Sequence, residues 1–108
     1  MKRLLSSLRE KKRYIAFEID GESGFSRDEI IKAVDTGCRE FMGVYGCGKA
    51  GVMVVNDTVN GKKGVVRVNS KSVDLVKTSL IMIKEINNNK VIFKNVKTSG
   101  ALKKANGG

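Results

Sequence analysis

Histidine is missing from this chain of 108 residues, cysteine occurs only as Cys38 and Cys47, and two tyrosines and four phenylalanines are its whole supply of aromatic rings. Without histidine the commonest general acid–base catalyst is gone. Two cysteines do not furnish the ligands of a four-coordinate zinc site, so no metal and no cofactor is expected. Free thiols in a reducing compartment fit the pair as well as a disulfide does. Long apolar runs are absent too. The opening Lys2, Arg3, Leu4, Leu5, Leu8 resembles the start of a signal peptide, but Ser6, Ser7 and Arg9 break its apolar stretch, and no other segment approaches membrane-spanning length. A soluble, cytoplasmic chain is expected.

What the chain has in excess is positive charge, and its placement is uneven. Lys2, Arg3, Arg9, Lys11, Lys12 and Arg13 stand against one acid, Glu10, in residues 1–13. Six lysines stand against Glu85 in residues 84–108, while residues 14–83 hold nine basic and nine acidic side chains. The formal +10 is therefore confined to the two ends. A neutral body between two basic segments reads as a contact surface for a polyanion, and nucleic acid is the first candidate. With 41% apolar residues the chain has enough for one domain with a modest core. Residues 1–108 are read as a single domain with a basic leader, 1–12, and a basic tail, 99–108.

Periodicity predicts four strands and two helices. Ile15, Phe17 and Ile19 alternate with Tyr14, Ala16 and Glu18, the pattern of a half-buried strand. Ser26 and Glu29 have capping-box spacing, and Ile30, Val34, Cys38 and Phe41 follow at helical intervals, giving a helix over 27–42. A glycine-rich connection, 43–51, leads to strands at 52–57 and 64–69. Asn60-Gly61 between them is a strong hairpin signal, and a two-residue turn there sets Val55 opposite Val66 and Met53 opposite Val68. Val73, Val76, Leu80 and Ile83 mark the second helix, an Asn87-Asn88-Asn89 turn follows, and 91–97 is the last strand. The order β-α-β-β-α-β is that of a ferredoxin-like α+β sandwich, an antiparallel sheet with both helices on one face. In that topology the first and last strands are antiparallel neighbours. The basic ends then meet at one edge, Lys11, Lys12 and Arg13 near Lys97, Lys103 and Lys104, with Arg67 facing outward on the adjacent strand. Solvated tails that contact nothing are the alternative.

Catalytic motifs are thin. Gly43-Val44-Tyr45-Gly46-Cys47-Gly48-Lys49-Ala50 matches a P-loop up to Lys49, then has Ala50 where a hydroxyl should bind Mg²⁺. It also follows a helix and precedes a strand, the reverse of the P-loop context. It is read as a flexible turn in which Gly46, Gly48 and Gly51 permit positive φ, with Lys49 counted among the phosphate-binding candidates. Asp20 and Glu22 read as a solvated acidic turn rather than a metal site. Cys38 falls on the apolar stripe as a core residue, and Cys47 lacks the surroundings of a reactive thiolate. RNA-recognition motifs share the β-α-β-β-α-β order but stack bases on aromatics of the first and third strands. Here only Tyr14 offers such a ring, so backbone recognition by Lys and Arg fits better. In the predicted register Val52, Val54 and Val65 point away from the helices, a candidate partner interface.

Several segments together are similar to the archaeal ribonuclease P protein component 2 family. They are Arg13-Tyr14-Ile15-Ala16-Phe17-Glu18-Ile19 after a basic leader, Gly64-Val65-Val66-Arg67-Val68-Asn69, Val73 through Leu80, and Lys90 through Ser99-Gly100-Ala101-Leu102-Lys103-Lys104. The resemblance runs over nearly the whole chain. It departs from the family in a leader without proline and in Ala101, where threonine is common after Ser-Gly. It implies a protein subunit of ribonuclease P, the ribonucleoprotein that removes the 5′ leader from precursor tRNA and whose RNA is the catalyst. It also implies pairing with the barrel-shaped ribonuclease P protein component 3 in a heterotetramer formed through self-association. On this reading the RNA-facing residues are Lys2, Arg3, Arg9, Lys11, Lys12, Arg13, Tyr14, Lys49, Arg67, Lys97, Ser99, Gly100, Lys103 and Lys104. None of them does bond chemistry. A general structured-RNA-binding or ribosome-associated protein on the same fold is the alternative, and a small independent enzyme a distant third.

Overall fold

The computed structural model describes residues 11–21, 24–60 and 62–100. Strand β1 (Lys12–Asp20) buries Ile15, Phe17 and Ile19 on one side, as the alternation predicts. Helix α1 (Arg27–Ala50) begins at the expected capping box. The Glu29 N–H donates to Ser26 Oγ at 3.2 Å, and the Ser26 N–H donates to the Glu29 carboxylate at 2.8 Å. Ile30, Val34 and Cys38 form its buried stripe, but Phe41 does not complete it: Phe41 is exposed, and Met42 and Cys47 pack on the core instead.

The helix does not end at residue 42. Gly43 breaks it with φ 78° and ψ 165°, and helical structure resumes to Ala50, where Gly51 in the left-handed region closes it. The predicted flexible turn is thus a second helical segment. Its physical reason is packing: Ala50 is buried and Cys47 rests on the core. Positive φ falls on Gly43 and Gly51 rather than on Gly46 and Gly48.

Strand β2 is only Met53–Val54, a 3-10 turn takes Asn56–Thr58, and β3 spans Lys63–Asn69. A 3-10 turn, Ser70–Ser72, leads into helix α2 (Val73–Ile81), whose Val76 and Leu80 reach the core. The asparagine turn closes a separate small hairpin of β4 (Glu85–Ile86) and β5 (Asn89–Lys90), with Asn87 and Asn88 at φ 52° and 67°. Strand β6 (Ile92–Ser99) is the last. The main sheet has the order β2-β3-β1-β6, antiparallel throughout, which is the ferredoxin-like arrangement. Phe17 and Phe93 meet in its core with ring centroids 5.5 Å apart. Neither helix is long and apolar enough to cross a membrane.

The hairpin register differs from prediction by one residue. Met53 pairs with Arg67 and Val54 with Val66, because the 3-10 turn interrupts the pairing before the Asn60–Lys63 bridge. Its hydrogen bonds replace the missing ladder: Val55 N–H donates to Val65 C=O at 2.9 Å, and Val65 N–H donates to the Thr58 hydroxyl at 2.9 Å. A one-residue slip moves a strand's side chains to the opposite face. Val52 and Val54 therefore pack against the core and Met53 faces outward, the reverse of the predicted sides. Val65 keeps its outward place but is buried. The predicted apolar outer patch of Val52, Val54 and Val65 is thus not formed.

Candidate nucleic-acid interface

Antiparallel pairing of β1 with β6 brings the two basic stretches together. Tyr14 lies opposite Ser99 and Ala16 opposite Lys97, while on the other side of β1 Lys12 faces Asn69 and Tyr14 faces Arg67. One rung across the outer face thus reads Ser99, Tyr14, Arg67, Met53, and the next reads Lys97, Ala16, Val65. A bulge between Ala16 and Phe17 inserts Val96 and sets Lys97 on this rung.

The corner is held by specific contacts. The Lys12 ammonium donates to Asn69 Oδ1, and the Asn69 amide donates to the Lys49 carbonyl at 3.0 Å, tying β1, β3 and the end of α1 together. Gly51 makes room for this link, since a methyl there would come within 3.0 Å of the Asn69 side chain. An ammonium beside a helix C-terminus also meets the negative end of the helix dipole. The Arg13 guanidinium donates to the Lys12 carbonyl at 3.3 Å and lies against Gly100. The Ser70 N–H donates to the Lys11 carbonyl at 2.9 Å, which brings exposed Lys71 to the same corner. Lys49 stands 5.6 Å from the ring centroid of Tyr45. Arg67 donates to Met53 Sδ at 3.6 Å, and its Nε is buried with no partner among the described residues.

Acids sit at the other end of the sheet. Glu18 faces Lys63 on β3 and Lys94 on β6, and Asp20 is ion-paired with Lys94 at 2.6 Å. The hydrogen bond and charge of Lys94 hold the Asp20 carboxyl below its ordinary range and raise the Lys94 ammonium. This half of the outer face is therefore compensated. The half around Tyr14 carries Lys12, Arg67 and Lys97 with no carboxylate on its rungs. Such a surface suits phosphate groups, with Tyr14 half-buried among the cations.

Of the sequence candidates, Lys11, Lys12, Arg13, Tyr14, Arg67, Lys97, Ser99 and Gly100 converge, and Lys49 joins them through its backbone. Lys2, Arg3, Arg9, Lys103 and Lys104 lie outside the described residues, as does Glu22. Lys71 and Tyr45 were missed. Lys71 carries no pattern that singles it out, and the exposure of Tyr45 depends on a helix the glycines concealed. Burial pushes the Cys38 thiol up to about 12 and also raises that of half-buried Cys47.

Residues 13–107 match the model of the Rpp14/Pop5 family. The chain is 38% identical to Ribonuclease P protein component 2 of Thermococcus gammatolerans over 103 residues, 95% of this chain and 86% of that one. It is 39% identical to the protein of the same name from Thermococcus kodakarensis with the same coverage. With that of Methanosarcina mazei it shares 34% over 97% of this chain and 89% of the other. Among solved structures, a chain in a cryo-EM structure of yeast Ribonuclease MRP has the same fold. It shares a TM-score of 0.70 and 14% identity, over 86% of this chain and 76% of that chain.

Proposed function

This chain belongs to the Rpp14/Pop5 family, and from that premise we propose that, as a protein subunit of ribonuclease P, it grips the catalytic RNA without supplying catalytic groups. The observation that carries this reading is the meeting of the β1 start and the β6 end on the acid-free half of the sheet. Lys11, Lys12, Arg13, Arg67 and Lys97 neutralise phosphates there and help RNA helices pack in the shape that processes precursor tRNA. Lys49, Ser99 and Gly100 extend the surface, and the leader and tail lysines and arginines add to it. Within the ribonucleoprotein the protein partner is the barrel-shaped component 3, joined in a heterotetramer through self-association of this chain. The absence of histidine and the raised thiols support a role without bond chemistry.

The test is binding of ribonuclease P RNA by charge-reversed variants. Arg13→Glu with Lys97→Glu is expected to weaken affinity by about a hundredfold. Lys63→Glu, at the compensated end, should change it by less than about threefold. Equal losses from both would refute the placement. Cleavage of precursor tRNA by the purified protein without RNA would refute the non-catalytic assignment.

A further inference from the structure

The break in α1 brings together two side chains that a straight helix would hold apart. Cys47 follows Cys38 at a distance in sequence that corresponds to a rise of about 13.5 Å in an unbroken helix. A disulfide needs Cα atoms within about 7 Å of each other. Gly43, at φ 78° and ψ 165°, turns the chain between the two cysteines, and their side chains meet. Both are free thiols. Cys38 is part of the hydrophobic core, and Cys47 packs half-buried against it. The segment that carries Cys47 is anchored just beyond it, where Ala50 is buried and the Lys49 carbonyl accepts from the Asn69 amide at 3.0 Å.

We propose that Cys38 and Cys47 form a reversible disulfide site, closed by exchange with a low-molecular-weight disulfide, and that the bridge staples the two segments of α1 across Gly43. Cys47 is the thiol that solvent reaches, so it reacts first. Its thiolate attacks one sulfur of the small disulfide; that sulfur–sulfur bond breaks, a mixed disulfide forms on Cys47 and one small thiolate leaves. Cys38 then gives up its proton and attacks the Cys47 sulfur, forming the bridge and expelling the second small thiolate. Two protein thiols are thereby oxidised to one disulfide, one small disulfide is reduced to two thiols, and the two protons end on those thiols. The charge of Arg39 favours the Cys47 thiolate, while Asp35, its ion-pair partner at 3.4 Å, opposes it. Exchange is therefore slow, and its equilibrium is the quantity to measure. The bridge fixes the segment whose Lys49 carbonyl supports Asn69, and so the scaffold of the basic corner. The inference goes beyond the subunit reading and does not depend on it.

The probe is glutathione. The full chain is equilibrated in mixtures of its reduced and oxidised forms, once folded and once in urea, and quenched with acid. Trypsin cuts after Lys32, Arg39 and Lys49, so residues 33–39 and 40–49 stay together in mass spectrometry only where the bridge has formed. Closure is expected to be about a hundredfold more favourable in the folded chain than in urea. The bridged chain is expected to melt about 10 °C above the reduced one, a gain that dithiothreitol removes. Cys47→Ser should show neither effect, and if that variant fails to fold, the ratio of folded to urea values in the wild type decides alone. A ratio below about ten overturns the site, because the folded geometry then does not favour the bridge. Glutathione retained on Cys47 without linked peptides, or a disulfide-linked dimer of chains, overturns it as well. A bridge that forms within one chain but leaves melting unchanged refutes the staple.

Discussion

Two carboxylates show how single side chains here respond to pH. Glu29 is held below its ordinary value of 4.5 by the Ser26 N–H, with the Ser26 hydroxyl and the Asn87 amide adding to it. Asp20 is held below 3.8 by Lys94. The folded chain therefore binds fewer protons than the unfolded chain across this range. The stability these groups give is present above their unfolded values and lost as pH falls through the lower folded ones. Thermal melting should accordingly hold steady above about pH 5 and decline below about pH 4. Asp20→Asn with Glu29→Gln should flatten that decline; an acid limb of unchanged slope in the double variant would assign it to other groups. The Ser26–Glu29 box was legible in the sequence because capping needs only two residue types at one spacing. The Asp20–Lys94 pair was not, because it depends on which residue of β6 reaches the end of β1.

At the scale of elements, legibility followed how local the determining contacts are. The alternation of β1, the stripe from Ile30 to Cys38 and the asparagine turn can all be read from neighbours in sequence. The β2–β3 hairpin could not, because its register is decided by Thr58. That hydroxyl accepts from the Val65 N–H and donates to the Val55 carbonyl at 2.7 Å, standing in for a strand that has turned away. Sequence pattern at 52–57 is satisfied by either face, so the slip left no trace in it. Thr58→Val keeps the shape but strands a buried N–H. It is expected to destabilise the fold by about 1–3 kcal/mol, measured by urea unfolding. A change under about 0.5 kcal/mol would show that the turn holds without this bond. The α1 break was hidden for a related reason: four glycines in nine residues, 43–51, look like a loop until Cys47 and Ala50 find the core.

For the whole molecule, the gathering of charge at one end of the sheet has a measurable form. Each phosphate neutralised contributes about 0.9 to the slope of log affinity against log salt. Lys12→Ala, Lys71→Ala and Lys97→Ala are each expected to lower that slope by about 1 for ribonuclease P RNA. A slope unchanged in all three would move the RNA to another surface.

The break at Gly43 also puts the two thiols on different helical segments, although their side chains meet. Cys38 is sealed in the first segment of the helix, and Cys47 sits half-buried in the second. A thiol-reactive dye can label either one only as fast as its surroundings open. The pair is thus a built-in stopwatch for local unfolding. If residues 44–50 loosen independently of the core, Cys47 labels early and Cys38 late. Equal rates would mean that the helix, broken as it is, opens as one piece.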